Sequence, residues 1–373
     1  MTQTLPNSSP PSTPPQPVLE GRGLTVSYGK RTVLNVENIR VMPNKVLALI
    51  GPNGSGKTTL MLCLSLLLKP TTGEIQFEGK PISYGLSLMH MRRRFAVAFQ
   101  EPLLLNTSVW NNVTLGLKLR GVKEPEIKKR AEYWLARFGV ISRAQQHART
   151  LSGGEAQRAN LARAFALQPE VLFLDEPFAA VDTPTRQGLF GDIMNILQET
   201  RFTTVMVTHD RNEAQTLAQQ VAVIMNGQIV QYGSPREIFS SPASEEIAKF
   251  VGMENILEGT VTASKDCIAD VAVGSHMIEG VSACQTGGKV NIFIRPEDIT
   301  LSLTKSPSSA RNVLSGRITS MIPAGPLVRV NLDCGFPLIA LITRMSADDM
   351  KLETGQSLYA SFKVAAIHII TLK

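Results

Sequence analysis

The sequence has no long apolar run. Its longest apolar stretch, residues 60–68, covers nine residues and contains Ser65. A helix that crosses a bilayer needs about 20 apolar residues. We therefore predict that the chain does not span a membrane, so that any role at a membrane depends on a partner.

Cysteine is also scarce, and its spacing argues against two kinds of site. The four cysteines are Cys63, Cys267, Cys284 and Cys334. They form no C-x-x-C pair and no other short metal-ligand spacing, so neither a metal site nor a disulfide scaffold is indicated. Reduced thiols in a cytosolic protein are the expectation.

Charged residues make up only 18% of the chain and aromatic residues only 6%, against 43% hydrophobic residues. This composition supplies sizeable cores and excludes disorder throughout. The net charge is +7, with basic clusters at residues 92–94 and 128–130. Aromatic residues do not interleave with these clusters, as they would on a platform that stacks bases. We predict no nucleic-acid partner; the clusters are solvated faces or, alternatively, surfaces attracted to an anionic membrane.

Composition and texture divide the chain into three segments. Residues 1–18 contain six prolines among Ser, Thr and Gln, which predicts a disordered tail rather than a signal peptide. In residues 19–252, short apolar runs alternate with helical patterns, as in an α/β domain. Residues 253–373 contain short β-branched runs punctuated by Gly and Pro, which predicts an all-β domain.

Apolar runs of strand length predict a mainly parallel sheet in the α/β segment. They are residues 46–50, 171–174, 204–208 and 221–225. Strands that helices cover on both faces have such continuous apolar sequences. A helix-length segment, residues 185–200, separates the second run from the third, which is the order of an α/β fold.

The all-β segment repeats itself. Residues 255–259, Asn-Ile-Leu-Glu-Gly, recur as residues 312–316, Asn-Val-Leu-Ser-Gly. Each copy ends in a strand preceded by Gly, at residues 290–295 and 358–363. We predict two related small barrels or half-barrels of about 60 residues each, at about 253–305 and 306–373. The alternative is a chance similarity between short strands flanked by Gly.

A glycine-rich loop follows the first apolar run. It comprises Gly51, Pro52, Asn53, Gly54, Ser55, Gly56, Lys57, Thr58 and Thr59. The loop fits G-x-x-x-x-G-K-[ST] between a strand and an apolar helix. Its glycines let successive N–H groups point inward, and these donors form a phosphate cradle with the helix N-terminus. The pattern predicts nucleotide binding, with Lys57 at the β- and γ-phosphates and the Thr58 hydroxyl on Mg²⁺.

A pair of carboxylates suits this site. Asp175 and Glu176 end the apolar run 171–174. The carboxyl ends of parallel strands form the ligand-binding edge of such a sheet. We expect Asp175 to hold Mg²⁺ through water and Glu176 to polarise the attacking water. Either residue alone could instead cap the next helix.

The residues from 151 to 155 narrow the class of phosphate-binding protein. Leu151, Ser152, Gly153, Gly154 and Glu155 precede an Ala-rich helical run. Ser152 and the N–H groups of Gly153 and Gly154 would form a second phosphate cradle at a helix start. Here the sequence resembles the ATP-binding cassette (ABC) family, whose signature is LSGGE followed by a segment with Gln and Arg. The resemblance implies that this element binds the nucleotide of the opposite subunit.

Further motifs of the ABC family occur in order over roughly residues 19–250. Tyr28 matches the aromatic residue that stacks on adenine, and Gln100 matches the glutamine that contacts Mg²⁺ and the attacking water. Asp182 matches the loop that communicates across the dimer, and His209 matches the histidine at the γ-phosphate. Singly, each of them could be a core or surface residue. Their joint order favours the family roles.

Two positions depart from the family pattern. Ala179 stands where the family commonly has Ser, and Ala156 stands where Gln is frequent. The first change weakens a hydrogen bond across the dimer. Neither change removes a charge or a metal ligand, so we expect an active ATPase that uses ATP and Mg²⁺.

The resemblance also implies partners, because the chain has one glycine loop and one signature. If each composite site takes these elements from opposite subunits, the active form is a head-to-tail homodimer around two ATP molecules. We expect a separate transmembrane permease, with an extracytoplasmic solute-binding protein acting indirectly. The chain would then lie peripherally at the cytoplasmic face of the cell membrane.

The doubled β segment resembles the transport-associated oligonucleotide-binding-like (TOBE) domain of importers, and in particular its molybdate-binding type. Ser-Ala-Arg-Asn at residues 309–312 is a recurring opening of small oxyanion-binding barrels of that type. Ser309, Arg311 and Lys363 could supply the hydroxyl and the cations that a tetrahedral dianion needs. They could equally be solvated residues at the start and end of strands.

The sequence therefore predicts the ATP-hydrolysing subunit of an ABC importer for molybdate or tungstate. One alternative is a similar subunit for another solute, such as sulfate, ferric iron, a polyamine or a sugar. A second is a soluble ABC ATPase of DNA repair or translation, although the two cassettes or coiled-coil insertion usual there are not seen. An oxyanion sensor or store is a third.

Overall fold

The computed structural model describes residues 16–85, 87–179, 181, 183–305 and 308–372, without the side chains of residues 183–185. Most of the predicted N-terminal tail, together with Asp182, therefore lies outside the described residues. The chain forms two compact units, Met1–Pro235 and Arg236–Lys373. Among the described residues, none of the helices is both long enough and apolar enough to cross a membrane.

The N-terminal unit contains strands and helices in alternation. Its strands, within the described residues, are β1 (Leu19–Tyr28), β2 (Arg31–Val41), β3 (Val46–Ile50), β4 (Thr72–Phe77), β5 (Lys80–Pro81), β6 (Phe95–Ala98), β7 (Val171–Asp175), β8 (Thr203–Val207), β9 (Gln220–Met225) and β10 (Gln228–Gly233). Its helices are α1 (Lys57–Leu64), α2 (Leu88–Arg92), α3 (Val109–Leu119), α4 (Glu124–Arg137), α5 (Gly153–Ala166), α6 (Thr183–Thr200) and α7 (Arg211–Leu217). Short 3-10 turns occur at Ile141–Arg143 and Ala148–Thr150.

The predicted parallel sheet is confirmed. Its strand order is β10-β9-β3-β8-β7-β6, and all of its pairs are parallel except β9 with β10. Every residue of β3, β7 and β8 is buried, because helices cover strands of this kind on both faces. The carboxyl ends of β3, β6, β7 and β8 consequently meet at one edge of the sheet, where the next loops begin.

A second sheet of the N-terminal unit was not predicted. It is antiparallel, with the order β2-β1-β4-β5. Helix α1 contacts β1 of this sheet and also β7 and β8 of the parallel sheet. The buried α1 side chains Leu60, Met61 and Leu64 belong to one core with residues of both sheets. This packing fixes the helix that begins at the end of the glycine loop.

A buried carboxylate joins β1 to β2. Glu20 is only 5% exposed, and its oxygens accept hydrogen bonds from Arg22 at 2.7 Å, Asn38 at 2.9 Å and Arg40 at 3.1 Å. The Arg22 hydrogen bond, supported by Asn38 and Arg40 against the cost of burial, lowers the pKa of Glu20 to about 2. The carboxylate is therefore ionised at neutral pH, and its charge stabilises the folded sheet.

We expect Glu20→Gln to lower the free energy of unfolding by about 2 kcal/mol at pH 7. The pKa is lowered in the folded state, so this stabilisation is present above the ordinary value of 4.5 and is lost as the pH falls towards 2. Urea unfolding of both proteins should give a clear difference at pH 7 and a smaller one at pH 3.5. The exposed Glu37→Gln is the control. An equal difference at both pH values would contradict the role of the charge.

Helices α3 and α4 pack on α5 and form a helical subdomain beside the parallel sheet. Trp134 of α4 and Phe165 of α5 lie at its centre, with ring centroids 5.1 Å apart. The segment that follows β6 enters this subdomain. The subdomain therefore connects the edge of the sheet to the N-terminus of α5.

The C-terminal unit is mainly β, as predicted. Its elements, within the described residues, are α8 (Pro235–Ser240), α9 (Glu245–Phe250), β11 (Asn255–Lys265), β12 (Ile268–Val273), β13 (His276–Val281), β14 (Lys289–Ile294), β15 (Thr300–Ser302), β16 (Asn312–Ala324), β17 (Leu327–Asp333), β18 (Pro337–Thr343), α10 (Arg344–Asp349), β19 (Ser357–Phe362) and β20 (His368–Thr371). Short 3-10 turns occur at Pro296–Asp298 and Val364–Ala366.

The boundary between the two units lies earlier in the chain than the change in residue composition at 252/253. The sequence prediction placed the β domain at 253–373, whereas α8 and α9 fall in the unit Arg236–Lys373. Hydrogen bonds explain this grouping. Arg295 donates to the carbonyl of Phe239, and the His368 ring nitrogen Nε2 lies 2.8 Å from the carbonyl oxygen of Pro242.

Each of the two predicted halves of the β domain contributes one strand to the sheet of the other half. The two sheets have the orders β13-β12-β11-β14-β20 and β15-β19-β16-β17-β18. Strand β20, from the second half, therefore completes the first sheet, and β15, from the first half, completes the second. Each sheet thus takes an edge strand from the other half. The two related small barrels or half-barrels at about 253–305 and 306–373 stay a prediction.

Two buried asparagines reinforce this exchange. Asn255, at the start of β11, donates to the carbonyl of Ile339 in β18 and accepts from its N–H. Asn312, at the start of β16, makes the same pair of bonds to Glu279 in β13. Each asparagine opens one copy of the sequence repeat and satisfies the backbone of an edge strand in the other copy. This contact gives the asparagine of the repeat a physical reason.

Candidate nucleotide-binding site

The glycine loop joins β3 to α1, and two of its glycines are required by geometry. Gly51 has φ +153°, and a Cβ at this position would lie 2.0 Å from the carbonyl oxygen of Ile224. Gly56 has φ +103° and is the N-terminal cap of α1. The loop therefore curls tightly before the helix, as the sequence predicts. The first N–H groups of α1 have no acceptor within the helix and remain available to a ligand.

Lys57 lies inside this curl. It is 6% exposed, and its Nζ donates to the carbonyls of Gly51 at 2.9 Å and Pro52 at 2.8 Å. Burial lowers the pKa of Lys57, while the carboxylates of Glu176 and Asp175 act in the opposite direction. A cation is thus held at the floor of the loop. An anion that displaced these carbonyls would bind it more strongly, because a charge-assisted hydrogen bond is stronger than a neutral one.

Thr58 and Asp175 meet at the same edge of the sheet. The Thr58 hydroxyl donates to Asp175 Oδ1 at 3.3 Å. Asp175 is buried at the end of β7, and this burial raises the pKa of its carboxyl. The hydroxyl and the carboxylate place two oxygen atoms side by side. Such a pair fits Mg²⁺, which prefers oxygen ligands. Within the described residues, no group of three or more His, Cys, Asp and Glu side chains is placed to hold a metal.

Glu176 and His209 also face each other. His209 Nδ1 lies 3.1 Å from Glu176 Oε2, and the Glu176 N–H donates to Val207 O at 2.9 Å. Glu176 has φ +43°, a left-handed conformation that is uncommon for a residue with a side chain and that clusters at functional sites. The backbone thus turns sharply after β7, and the carboxylate is held beside the loop that follows β8.

The loop that carries His209 is anchored by a residue that sequence reasoning missed. Arg186 of α6 donates to Asp210 at 2.6 Å and to Glu213 at 2.7 Å. Glu213 is buried, which raises the pKa of its carboxyl, and it accepts from the Thr208 hydroxyl. No sequence motif marks this arginine, which follows Asp182 by four residues, as part of the site. Only the folded structure brings it to this loop.

A cleft of about 490 Å³ brings nine of the predicted site residues together, whereas Gly51, Pro52, Ser55, Asp175 and His209 do not line it. Its lining residues are Tyr28, Val33, Asn53, Gly54, Gly56, Lys57, Thr58, Thr59, Gln100 and Glu176. Tyr28 is 61% exposed, so its ring is free to stack on a base at the rim. The Ser55 hydroxyl is buried and has no hydrogen-bond partner in the described part of the chain. An unsatisfied donor in the curl of the loop fits a phosphate ligand.

The signature turn lies outside this cleft. Ser152 caps α5, and Gly153 and Gly154 form the first turn of that helix. Ser152 and Glu155 make a capping box: Glu155 N–H donates to Ser152 Oγ at 3.3 Å, and Ser152 N–H donates to Glu155 Oε2 at 2.9 Å. None of these four residues lines the cleft. A single copy of the chain therefore does not bring the glycine loop and the signature to one ligand.

The role of Glu155 differs from that of a direct ligand. Hydrogen bonds from the Ser152 backbone and side chain, with a further one from Arg143, lower the pKa of its carboxyl. The Arg143 Nε atom lies 2.8 Å from Glu155 Oε1. The carboxylate is thus already paired within the chain. It orders the helix start, where the N–H groups of Gly153 and Gly154 have no acceptor within the helix.

The predicted oxyanion residues lie at one end of the second sheet. Asn312 pairs with Phe362, so the antiparallel register sets Arg311 and Lys363 at neighbouring positions just beyond the ladder. The Arg311 side chain is 61% exposed, and its Nε lies 3.0 Å from Glu279 Oε2. Ser309 and Lys363 are exposed. The structure brings two of the three residues together, but a glutamate already neutralises one of the cations.

The basic clusters of the sequence are largely engaged within the fold. Arg92 donates twice to the carbonyl of Leu66, and Arg94 pairs with Glu170. Lys128 pairs with Glu132 and Arg130 with Glu126 on α4. Arg94, Lys128 and Arg130 thus have carboxylate partners, whereas the carbonyl that Arg92 contacts leaves the charge of Arg92 in place.

Comparison with known proteins places this geometry in a family. The model described as ABC transporter matches residues 34–179, and the TOBE domain model matches residues 308–369, within the second half of the β domain. The molybdate/tungstate import ATP-binding protein WtpC of Pyrococcus horikoshii is 36% identical over 323 residues, which cover 86% of this chain and 91% of that protein. This chain belongs to the import ATP-binding proteins of the ABC transporter family. It is an ATPase of the kind whose hydrolysis is coupled to transport.

Other relatives of this ABC ATPase include a second WtpC and a protein named for a different solute. WtpC of Thermococcus kodakarensis is 39% identical over 302 residues, or 81% of this chain and 88% of that protein. The spermidine/putrescine import ATP-binding protein PotA of Legionella pneumophila is 32% identical over 347 residues, or 90% and 93% of the two chains. The sequence similarity to both relatives thus extends well beyond the ATP-binding motifs.

Solved structures agree with this assignment. CbiO1 of Clostridium perfringens, part of the ABC transporter complex CbiONQ, superimposes with a TM-score of 0.56 at 29% identity, covering 64% of this chain and 96% of that chain. The ATP-binding cassette MJ0796, solved as a dimer in a post-hydrolysis state with ADP and Pi, gives 0.54 at 27% identity and covers 58% and 99%. The ABC domain of this chain therefore has the fold of nucleotide-binding ATPases.

Proposed function

We propose that this ABC ATPase is the energy-coupling subunit of an importer for molybdate or tungstate. Relatives named for molybdate and tungstate import are 36% and 39% identical, against 32% for the relative named for spermidine and putrescine import. The β domain contains a TOBE match, which supports an importer but does not select the solute. The alternative is a subunit that serves another solute through a different permease.

The catalytic part of the proposal rests on one observation. The pairs Thr58–Asp175 and Glu176–His209 meet at the same edge of the parallel sheet. Lys57 and the N–H groups of the glycine loop bind the phosphates of ATP. Glu176, 3.1 Å from His209, orients a water molecule and accepts its proton as the water oxygen attacks the γ-phosphorus and the bond to ADP breaks. Thr58, Asp175 and Gln100 would hold Mg²⁺, which would neutralise phosphate charge. Tyr28 stacks on the adenine.

The active form in this proposal is a homodimer. The signature turn of Ser152, Gly153 and Gly154 does not line the cleft of its own copy, and its free N–H groups form a cradle at the start of α5. Two copies arranged head to tail would place each cradle against the ATP held by the other copy. The dimer would work against a transmembrane permease at the cytoplasmic face of the membrane, with a solute-binding protein on the other side.

Oxyanion binding by the β domain is a separate proposal. Arg311 and Lys363 are exposed cations at one end of the second sheet, and Ser309 lies two residues before Arg311. An oxyanion there would have to compete with Glu279 for Arg311. Calorimetric titration of the full chain with molybdate, tungstate and sulfate tests this directly. Binding that Arg311→Ala abolishes supports the site, and the absence of heat from all three ions contradicts it.

The transport proposal is tested by uptake in cells that lack this chain. Cells complemented with the wild type should accumulate labelled molybdate or tungstate, whereas cells complemented with Glu176→Gln should not. Labelled sulfate and spermidine are the matched controls. Restored uptake of sulfate or spermidine, with no effect on molybdate and tungstate, would replace the proposed solute with the alternative.

A further inference from the structure

Helix α5 carries a row of buried and half-buried polar side chains that the proposed mechanism does not use. Gln157, Asn160 and Arg163 are three residues apart and so lie along one side of the helix. Gln157 and Asn160 are fully buried. Asparagine is a poor helix former, and a buried amide is costly unless it is hydrogen-bonded. An apolar residue would fill the same space at lower cost, so the contacts of this row need an explanation.

The row connects two loops of the nucleotide site. Gln157 Nε2 donates to Pro177 O at 2.9 Å, and Pro177 directly follows Glu176. Asn160 Nδ2 donates to Phe99 O at 3.1 Å, and Phe99 directly precedes Gln100. Each side chain therefore holds the backbone immediately beside a residue of the cleft.

Asn160 is the centre of the row. Its Nδ2 also donates to Gln157 Oε1 at 3.3 Å, and its Oδ1 accepts from Arg163 Nη2 at 2.7 Å. Arg163 in turn donates to Leu103 O at 2.7 Å. The segment from Phe99 to Leu103 is thus fixed at both ends by one helix, and Gln100 lies between the two fixed points.

We propose that Asn160 is a positioning residue that sets Gln100 relative to Glu176 through α5. Without the Asn160 amide, the Phe99 carbonyl and Arg163 each lose a hydrogen bond. The segment that carries Gln100 then shifts. The glycine loop stays in place, because the row does not contact it. This inference rests on the proposed function, because it requires Gln100 and Glu176 to act on ATP and Mg²⁺ in the cleft.

A double-mutant cycle on ATP hydrolysis tests the inference. The variants are Asn160→Leu, Gln100→Ala and the pair, each assayed as full-length protein over a range of ATP and Mg²⁺ concentrations. We expect Asn160→Leu to lower kcat by about tenfold and to raise the half-saturating Mg²⁺ concentration by about threefold, since small displacements of catalytic groups have effects of this size. The affinity for ATP measured without Mg²⁺ should change by less than about twofold, because Lys57 and the glycine loop are untouched.

The double variant shows whether Asn160 positions Gln100 or only stabilises the fold. If Asn160 acts through Gln100, the pair is no slower than Gln100→Ala alone, because the second change removes nothing that is still in place. Losses that multiply in the pair, or an unchanged Mg²⁺ requirement in Asn160→Leu, would overturn the inference. If Asn160→Leu fails to fold, the near-isosteric Asn160→Asp, which loses the amide donor but keeps an acceptor for Arg163, replaces it in the same cycle.

Thr114→Val is the matched control. Thr114 is equally buried in the helical subdomain, and its hydroxyl donates only within its own helix, to Trp110 O at 2.9 Å. We expect this variant to lower the melting temperature and to leave kcat and the Mg²⁺ requirement unchanged. A wild-type protein without ATPase activity would refute the proposed function itself. An active wild type with a multiplicative cycle would refute only the role of Asn160.

Discussion

Lys57→Ala is expected to weaken ATP binding by at least about a hundredfold, equivalent to about 2.7 kcal/mol. The ammonium of Lys57 lies at the floor of the glycine loop, 2.9 Å from Gly51 O and 2.8 Å from Pro52 O. When phosphate enters the loop, the same group becomes its buried counter-charge, and such charge-assisted hydrogen bonds are the stronger kind. Titration with a fluorescent ATP analogue measures the change, and hydrolysis should be lost in parallel.

The control for this prediction is Lys30→Ala. Lys30 is exposed and lies two residues after Tyr28, near the rim of the cleft, so it tests whether net charge alone accounts for the effect. We expect it to change ATP affinity by less than about twofold, as surface charges contribute little. An equal loss in both variants, or ATP affinity retained in Lys57→Ala, would contradict the assignment of the phosphate site.

Glu176→Gln is expected to abolish turnover while ATP still binds. Removal of a general base costs about a hundred- to ten-thousandfold in kcat. Glutamine keeps the size of the side chain and the backbone bond from residue 176 to Val207 O, so the loop should not move. Because the carboxylate lies 3.1 Å from His209 and not in the glycine loop, binding should stay within about threefold of the wild type.

The same variant gives a second readout. ATP that binds without hydrolysis should hold the proposed dimer closed, so gel filtration with ATP and Mg²⁺ should show a stable dimer for Glu176→Gln and not for the wild type. Glu170→Gln, an exposed glutamate on the same unit, is the control and should hydrolyse ATP normally. Substantial hydrolysis by Glu176→Gln would remove this carboxylate from the mechanism.

Much of the nucleotide site could be predicted because local sequence determines it. Strand β3, the glycine loop and α1 are consecutive, so a continuous apolar run, Gly51, Gly56 and Lys57 specify a strand, a curl and a helix start without distant contacts. Asp175 and Glu176 were also placed at the correct edge, since the carboxyl ends of parallel strands coincide.

Features that depend on distant contacts were missed. In the antiparallel sheet of β1, β2, β4 and β5, only the pair β1–β4 joins strands that lie far apart in the chain. The residues of β1, β2 and β4 alternate between buried and exposed, so no continuous apolar run marks this sheet. The exchange of β15 and β20 between the halves of the β domain is likewise invisible in the repeat itself. Only the buried Asn255 and Asn312, each bonded to an edge strand of the other half, point to it.

Polar residues on α5 illustrate the same limit. The Ala-rich run after the signature predicts a packed helix, and α5 is one, beginning at Gly153. Nothing in the sequence reveals that Asn160 bonds to the backbone before Gln100. Similarly, the sequence motif around Arg311 cannot show that Glu279 pairs with it. In both cases, the hydrogen-bond or ion-pair partner lies far away in the sequence and is set by the tertiary structure.

Mixing two inactive variants tests the composite site most directly. Ser152→Arg blocks the signature of one copy, and Glu176→Gln disables the catalytic side of the other, so each homodimer should be inactive. A mixed dimer contains one intact site, built from the glycine loop and Glu176 of one copy and Ser152 of its partner. After mixing without ATP, random pairing should restore about a quarter of the wild-type rate. A mixture as inactive as its components would contradict ATP binding between two copies of this chain.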